Sequence, residues 1–317
     1  MRYVRFIACA LVVALATSLP AGSQSLPKVR IIVVATEIAD GVVNAAQLGY
    51  FKDAGIDAEV TQLTNGGAAA SAIVSGAADI AFSNALSVIV AHAKGLPVRI
   101  VVGADLHLAT SPDQGILAAP TASALKTGAD FAGKTVGVPT LGSTQYYAVR
   151  KWIDTNGGDS TAVHFIELPN PTIADAIVAG RVDAGTIDVL QLHAHRTALR
   201  QVTSAFDAIA PRFLAGIWFS TTDWVTKNPD LARRFVAAYA RYSTWANSHP
   251  AEEIAFYAKY SGLPVADLQA VQRPTFEPVT NMDLLQPLID VAVKYGAIAK
   301  TFRAAELQSP ALAPARN

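Results

Sequence analysis

The sequence predicts an α/β fold of two similar lobes, and three observations carry that prediction. First, Ala72–Asp79 reads AIVSGAAD and Ala176–Asp183 reads AIVAGRVD, 104 residues later. Asn65 and Asn170 stand upstream of the two copies, and each copy runs into a short apolar segment with a polar end, IAFSN to Asn84 and AGTID to Asp188. Each copy therefore reads as loop, helix, glycine stop, strand and polar strand tip, with Gly76 and Gly180 where a helix end favours positive φ. Second, β-branched runs alternate with helical segments through both halves, the pattern of parallel sheets with crossover helices. Third, two copies are too few for a solenoid. They imply paired lobes, and ligands favour such clefts and the carboxyl ends of strands.

Taken in order, Lys28–Ala35 (KVRIIVVA) is a buried strand. A helix from about Val42 to Lys52 follows, then Gly55 and a strand over Asp57–Gln62. Thr64-Asn65-Gly66-Gly67 opens the first repeat helix, and Ile80–Phe82 is the strand after it. Ser83-Asn84 is an N-cap pair for a helix to about Lys94, stopped by Gly95 and Pro97. Val98–Gly103 and Gly115–Ala118 are strands. The pattern restarts with helical turns at Ser123–Lys126 and Asp130-Phe131, a strand Thr135–Val138, a helix opened by Thr140–Thr144, and a strand Val163–Leu168. After the second repeat, Ile217–Ser220 is a return strand; the helices Pro229–Asn247, Pro250–Tyr260, Val265–Val271 and Met282–Tyr295 complete the chain. Lobe 1 is expected over 25–118 and 217–307, lobe 2 over 119–216, and a flexible tail over 308–317.

Residues 1–24 read as a secretory signal peptide: Arg2 and Arg5, an uncharged apolar run Phe6–Leu19, then small residues. The only cysteine, Cys9, lies within it, so the exported chain has no thiol, disulfide or Cys-ligated metal. Export also removes two of the 25 basic residues and leaves a net charge of −2, which speaks against nucleic acid as a partner. Only 16% of residues are charged, below the usual quarter, and no later stretch has the length of a membrane span.

Gly128–Thr135 (GADFAGKT) matches the phosphate-loop pattern, but here GKT precedes a strand instead of following one, so the order is wrong for phosphate binding. Thr140–Thr144 is a better polar-group site, because helix-start amides and the Ser143 and Thr144 hydroxyls face one point. Glu37, Asp40, Asp105 and Asp188 all fall after expected strands, with no Lys or Arg at the same tips. That favours a ligand offering hydrogen-bond donors or a cation. Trp218 and the Tyr146-Tyr147 pair are candidate pocket walls, whereas His193 and His195 read as surface or hinge residues. No nucleophile elbow, zinc-protease or dinucleotide pattern is present; neither catalysis nor a cofactor or metal is expected.

AAQLGYFKDAGIDAEV (45–60), GGAAASAIVSGAADIAFSN (66–84), GKTVGVPTLGSTQYYAVRKWI (133–153) and AIVAGRVDAGTID (176–188) resemble the periplasmic solute-binding proteins of nitrate/sulfonate/taurine-type ABC importers. The same superfamily includes receptors for thiamine-precursor pyrimidines. The resemblance implies a type II periplasmic binding fold, with two lobes joined by a two-strand hinge. It also implies a monomer that closes on a small solute and docks to an inner-membrane ABC permease. The positions it carries over are Thr36–Asp40, Asn65, Ser83, Asn84, Thr140, Ser143, Thr144 and Asp188; Asp105 and Trp218 join them from the residue reading. Nitrate-type relatives hold their anion with a cation that these loops lack, and pyrimidine-synthesising relatives carry a cysteine-rich motif that is absent here. A sulfonate, a taurine-like zwitterion, an aromatic acid or a nitrogen heterocycle stays open as solute.

Overall fold

The computed structural model describes residues 25–34, 36–63, 66–110 and 114–312. Residues 1–24, read above as a signal peptide, and Asn65 lie outside them, as do the side chains of Glu37 and Asp40. The first half of the chain runs β1 (Lys28–Val34), α1 (Glu37–Gln47), α2 (Tyr50–Asp53), β2 (Asp57–Leu63), α3 (Gly66–Val74), β3 (Ile80–Asn84), α4 (Ala85–Ala93) and β4 (Val98–Leu108). The middle comprises β5 (Ile116–Pro120), β6 (Thr135–Val138), α5 (Thr144–Thr155), β7 (His164–Glu167), α6 (Ile173–Val178), β8 (Ala184–Ile187), α7 (Val189–Ala194) and β9 (Leu199–Ser204). The rest is β10 (Arg212–Thr221), α8 (Thr222–Lys227), α9 (Pro229–Ser248), α10 (Pro250–Ser261), α11 (Val265–Gln269), β11 (Thr275–Phe276) and α12 (Gln286–Lys294).

These strands form two sheets, ordered β11-β4-β10-β3-β1-β2 and β7-β6-β8-β5-β9. The orders are equivalent. β1 is parallel to β2 and β3, and β6 is parallel to β7 and β8. Each parallel trio is then flanked by an antiparallel strand, β10 in the first sheet and β5 in the second. Among the described residues the chain changes sheet twice, between β4 and β5 and between β9 and β10, where long antiparallel β4 and β10 meet antiparallel β5 and β9. All of β5 thus belongs to the second sheet and all of β10 to the first.

The repeat does the same structural work twice. Gly76 and Gly180 adopt φ of 74° and 68° after α3 and α6. Asp79 Oδ2 then accepts the Arg30 amide at 2.8 Å, pinning β3 to β1, and Asp183 Oδ2 accepts the Thr135 amide at 2.8 Å, pinning β8 to β6. The environments differ. Asp79 also receives the Arg30 guanidinium on both oxygens with a side chain 9% exposed, whereas Asp183 is 43% exposed with Lys134 Nζ at 3.8 Å. Asp79→Ala should therefore cost about 2–3 kcal/mol, since it strips charged hydrogen bonds from a sheltered site. Asp183→Ala should cost about 1 kcal/mol or less, because solvent screens the pair; urea unfolding of both variants checks the difference, and equal costs would refute it.

Three elements depart from the sequence reading. The first helix begins at Glu37, where the Thr36 hydroxyl accepts the Ala39 amide, and it breaks at Gly49, which adopts φ of 88°. Asp40 therefore sits inside α1. β4 continues past Gly103 to Leu108 because β10, itself longer than expected, pairs with it along its length, so Asp105 is a strand residue and not a loop residue. Residues 308–312 are packed, not frayed: Gln308 bridges to Ile100, and Ala311 and Leu312 lie on the core.

One apolar core runs continuously from the first sheet through α4, α12 and α5 to the second sheet. Tyr295, after α12, donates its hydroxyl to Asp154 Oδ2 at 2.7 Å, and the Arg150 guanidinium stands 4.7 Å over its ring. A second core on the other face of the first sheet gathers Phe51, Trp218, Phe235, Tyr239 and Tyr242 under α9.

Candidate functional site

A cavity of about 330 Å³ opens between the two sheets, within the range of small-molecule sites. Its frame is made of helix starts. Four N-cap residues line it: Thr36 of α1, Asn84 of α4, Ser143 of α5 and Asp188 of α7. Each side chain accepts an amide of its own helix, from Ala39, Ser87, Tyr146 and Gln191 respectively. The cause is local: a parallel strand ends, a cap residue turns the chain, and the helix starts at the same rim.

Asn84 does more than cap. Its Oδ1 also accepts the Thr144 amide and hydroxyl, both at 3.3 Å, joining the start of α4 to the start of α5 across the cleft. Thr144 itself is fully buried and does not line the cavity, so it positions Asn84 instead of facing a ligand. Ser83, Thr140 and Asp105 are on the wall, and the Thr140 hydroxyl donates to the Pro139 carbonyl at 2.8 Å. Burial raises the Asp188 carboxyl above its ordinary value, against the opposing pull of the Gln191 and Leu190 amides.

Trp218 requires a correction. It is fully buried, edge-on to Phe82, Phe235 and Tyr239, and absent from the cavity wall. On β10, Ile217 and Phe219 join the core continuous with α4, while Trp218 joins the core under α9, as alternation along a strand demands. Tyr146 and Tyr147 also miss the cavity; Tyr146 packs on Phe165 and Tyr147 on Tyr295. The aromatic wall is instead Phe82, from the repeat strand, and Phe206, from the return crossing.

Several wall residues were not among the site candidates read from the sequence. Gln114 lies in the first crossing, Gln145 in the first turn of α5, Thr186 on β8, Glu167 at the end of β7 and Asn170 three residues beyond it. Gln114 Nε2 donates to Asp105 Oδ2, and Glu167 Oε2 accepts the Leu141 amide at 3.1 Å. Asn170 had a usable signal, its place ahead of the second repeat. Among the described residues no Lys, Arg or His is on the wall, and no group of three His, Cys, Asp or Glu could hold a metal ion.

Beside the cavity, His107 is fully buried against Phe206 and Phe213, and its Nε2–H donates to Asp207 Oδ1 at 2.9 Å. Burial lowers its pKa below the ordinary 6.5, outweighing the attraction of Asp207. The folded chain thus resists a proton that the unfolded chain accepts near pH 6.5, so stability complete above that pH is lost as pH falls below it. The unfolding temperature should decline from pH 6.5 downward, and His107→Gln should make that decline shallower. An unchanged slope would show that His107 is not a source of it.

The family follows from comparison. A family model described as NMT1/THI5 like matches residues 38–253. The chain belongs to the NMT1/THI5-like family. Two curated relatives, the 4-amino-5-hydroxymethyl-2-methylpyrimidine phosphate synthases THI12 and THI5 of Saccharomyces cerevisiae, are each 25% identical over 216 residues, 64% of this chain. The chain matches 61% of their length. Among solved structures, the alkanesulfonate-binding protein SsuA of Xanthomonas axonopodis pv. citri, bound to MOPS, aligns with a TM-score of 0.74 at 18% identity, covering 89% of this chain and 97% of that one. The periplasmic nitrate-binding protein NrtA of Synechocystis PCC 6803 aligns at 0.72 with 14% identity, covering 90% and 86%. This member of the NMT1/THI5-like family has the periplasmic binding protein fold, and no helix among the described residues is long and apolar enough to cross a membrane.

Proposed function

We propose that the chain is the extracytoplasmic solute-binding receptor of an ABC importer. It captures a small organic solute between its lobes and delivers it to an inner-membrane permease. Lobe 1 comprises 25–108 with 212–312 and lobe 2 comprises 116–204, following the two sheets. Residues 1–24 direct export to the periplasm and are removed there, and the receptor works as a monomer without a cofactor. One observation carries this reading: the cavity is walled by helix starts from both sheets, while only two short crossings join the sheets. Such a cavity changes shape when the lobes move, which couples capture to closure. The names of SsuA and NrtA support the same role.

A second reading, a pyrimidine-related enzyme on the same fold, is favoured by the names of the yeast relatives. A thermal-shift screen with sulfonates, taurine, aromatic acids, pyrimidines and nitrate separates the two. A ligand at 100 times its dissociation constant stabilises by about 2.7 kcal/mol, a shift of several degrees. The receptor reading expects one class to respond and to be recovered unchanged by mass spectrometry. Conversion of the bound compound would replace it with the enzyme reading.

A further inference from the structure

Resting on the cavity being the solute site, we propose that the solute binds there as a cation bearing N–H groups, an ammonium, amidinium or guanidinium, and that Asp105 determines this preference. Asp105 sits on β4, between edge strand β11 and β10, 1% exposed, with its carboxylate against the backbone of Gly216. Among the described residues the wall contains three carboxylates, Asp105, Glu167 and Asp188, and no basic side chain. Four helix starts also face the cavity. Each supplies at most about half a positive charge, their first-turn amides are partly taken by the caps, and Asp188 offsets that of its own helix. The balance is negative.

A second, independent observation points to a ligand with donors. On the opposite wall Thr186 is 1% exposed and its Oγ1 has no hydrogen-bond partner, and the buried Oε1 of Gln145 has none either. Buried polar atoms are almost always paired, so both are placed to bond a bound molecule; Gln145 Oε1 can only accept, and the Thr186 hydroxyl can accept or donate. An oxoanion here would face carboxylates without a counter-cation and leave the Gln145 acceptor unused. An N–H-bearing cation bonds the carboxylate and the Gln145 acceptor together, and Phe82 and Phe206 on the wall give its apolar part a hydrophobic surface.

The test is isothermal titration of the full chain with benzamidine, butylammonium and phenylguanidine against benzenesulfonate, butanesulfonate and nitrate. At least one cation should bind and no oxoanion should. Asp105→Asn, which keeps shape and removes charge, should weaken that cation by about 10- to 100-fold while moving the unliganded melting temperature by only a few degrees. Should that variant misfold, Thr186→Val should weaken the same cation several-fold while leaving the unliganded melting temperature equal or higher, since the hydroxyl it removes has no partner in the unliganded chain. Binding of an oxoanion in place of the cations overturns the proposal but leaves the receptor reading intact. Silence from all three cations, or unchanged cation affinity in Asp105→Asn, also overturns it. Chemical conversion of a bound cation would sink the receptor reading and spare the charge preference.

Discussion

Gly216→Ala is expected to lower solute affinity by about 100-fold or more, the equivalent of about 2.7 kcal/mol. Gly216 lies on β10 between two shifts in its pairing with β4. A Cβ there would stand inside van der Waals contact of Asp105 Oδ1, and 2.8 and 2.9 Å from Phe82 Cε2 and Cζ. Asp105 and Phe82 both form the cavity wall, so one methyl group displaces a charged and an aromatic surface together. The backbone itself is not the obstacle, since Gly216 is not among the glycines with positive φ. Gly180→Ala makes the opposite control. Its φ is 68° and nothing surrounds the added carbon, so it should cost about 1 kcal/mol of stability and leave binding unchanged. Titration calorimetry with the solute identified by the screen reads both, and affinity of Gly216→Ala within threefold of the parent would disprove this account of the wall.

Trp218→Ala should destabilise the fold by about 3–5 kcal/mol, the range for emptying a large aromatic site in a close-packed core. In a chain of this size each kcal/mol moves the midpoint by about 2–4 °C, so the melting temperature should drop by about 6–20 °C. The indole is enclosed by Phe82 at 5.5 Å, Tyr239 at 5.5 Å and Phe235 at 6.0 Å between ring centroids. Phe235 is in turn stacked on Phe51 at 5.2 Å. Loss of Trp218 therefore opens the core beneath α9, and it reaches the cavity only through Phe82. A variant with the parent's melting temperature and lost binding would mean that the indole belongs to the cavity wall.

The sequence alone determined the elements whose causes are local. Strand and helix follow from residue periodicity, the repeat exposed two equivalent halves, and Gly76 and Gly180 marked the helix ends. The four cap residues Thr36, Asn84, Ser143 and Asp188 were legible for the same reason, since a cap bonds an amide three residues ahead. Only the tertiary structure decided the rest of the site. Whether Asp105 ended a strand or continued it depended on β10, more than a hundred residues later in the chain. Thr144 became a positioning residue because Asn84 arrived from the other sheet, 60 residues away. Trp218 lost its place to Phe82 and Phe206 because it pairs with Phe82 across β10 and β3 and packs behind that ring in the core under α9, a placement set by strand pairing and not by anything near residue 218 in the chain. Gln114, Gln145 and Thr186 have no local pattern at all, because a cavity wall is a property of two surfaces meeting and hydrogen-bond chemistry near each residue does not report the partner surface.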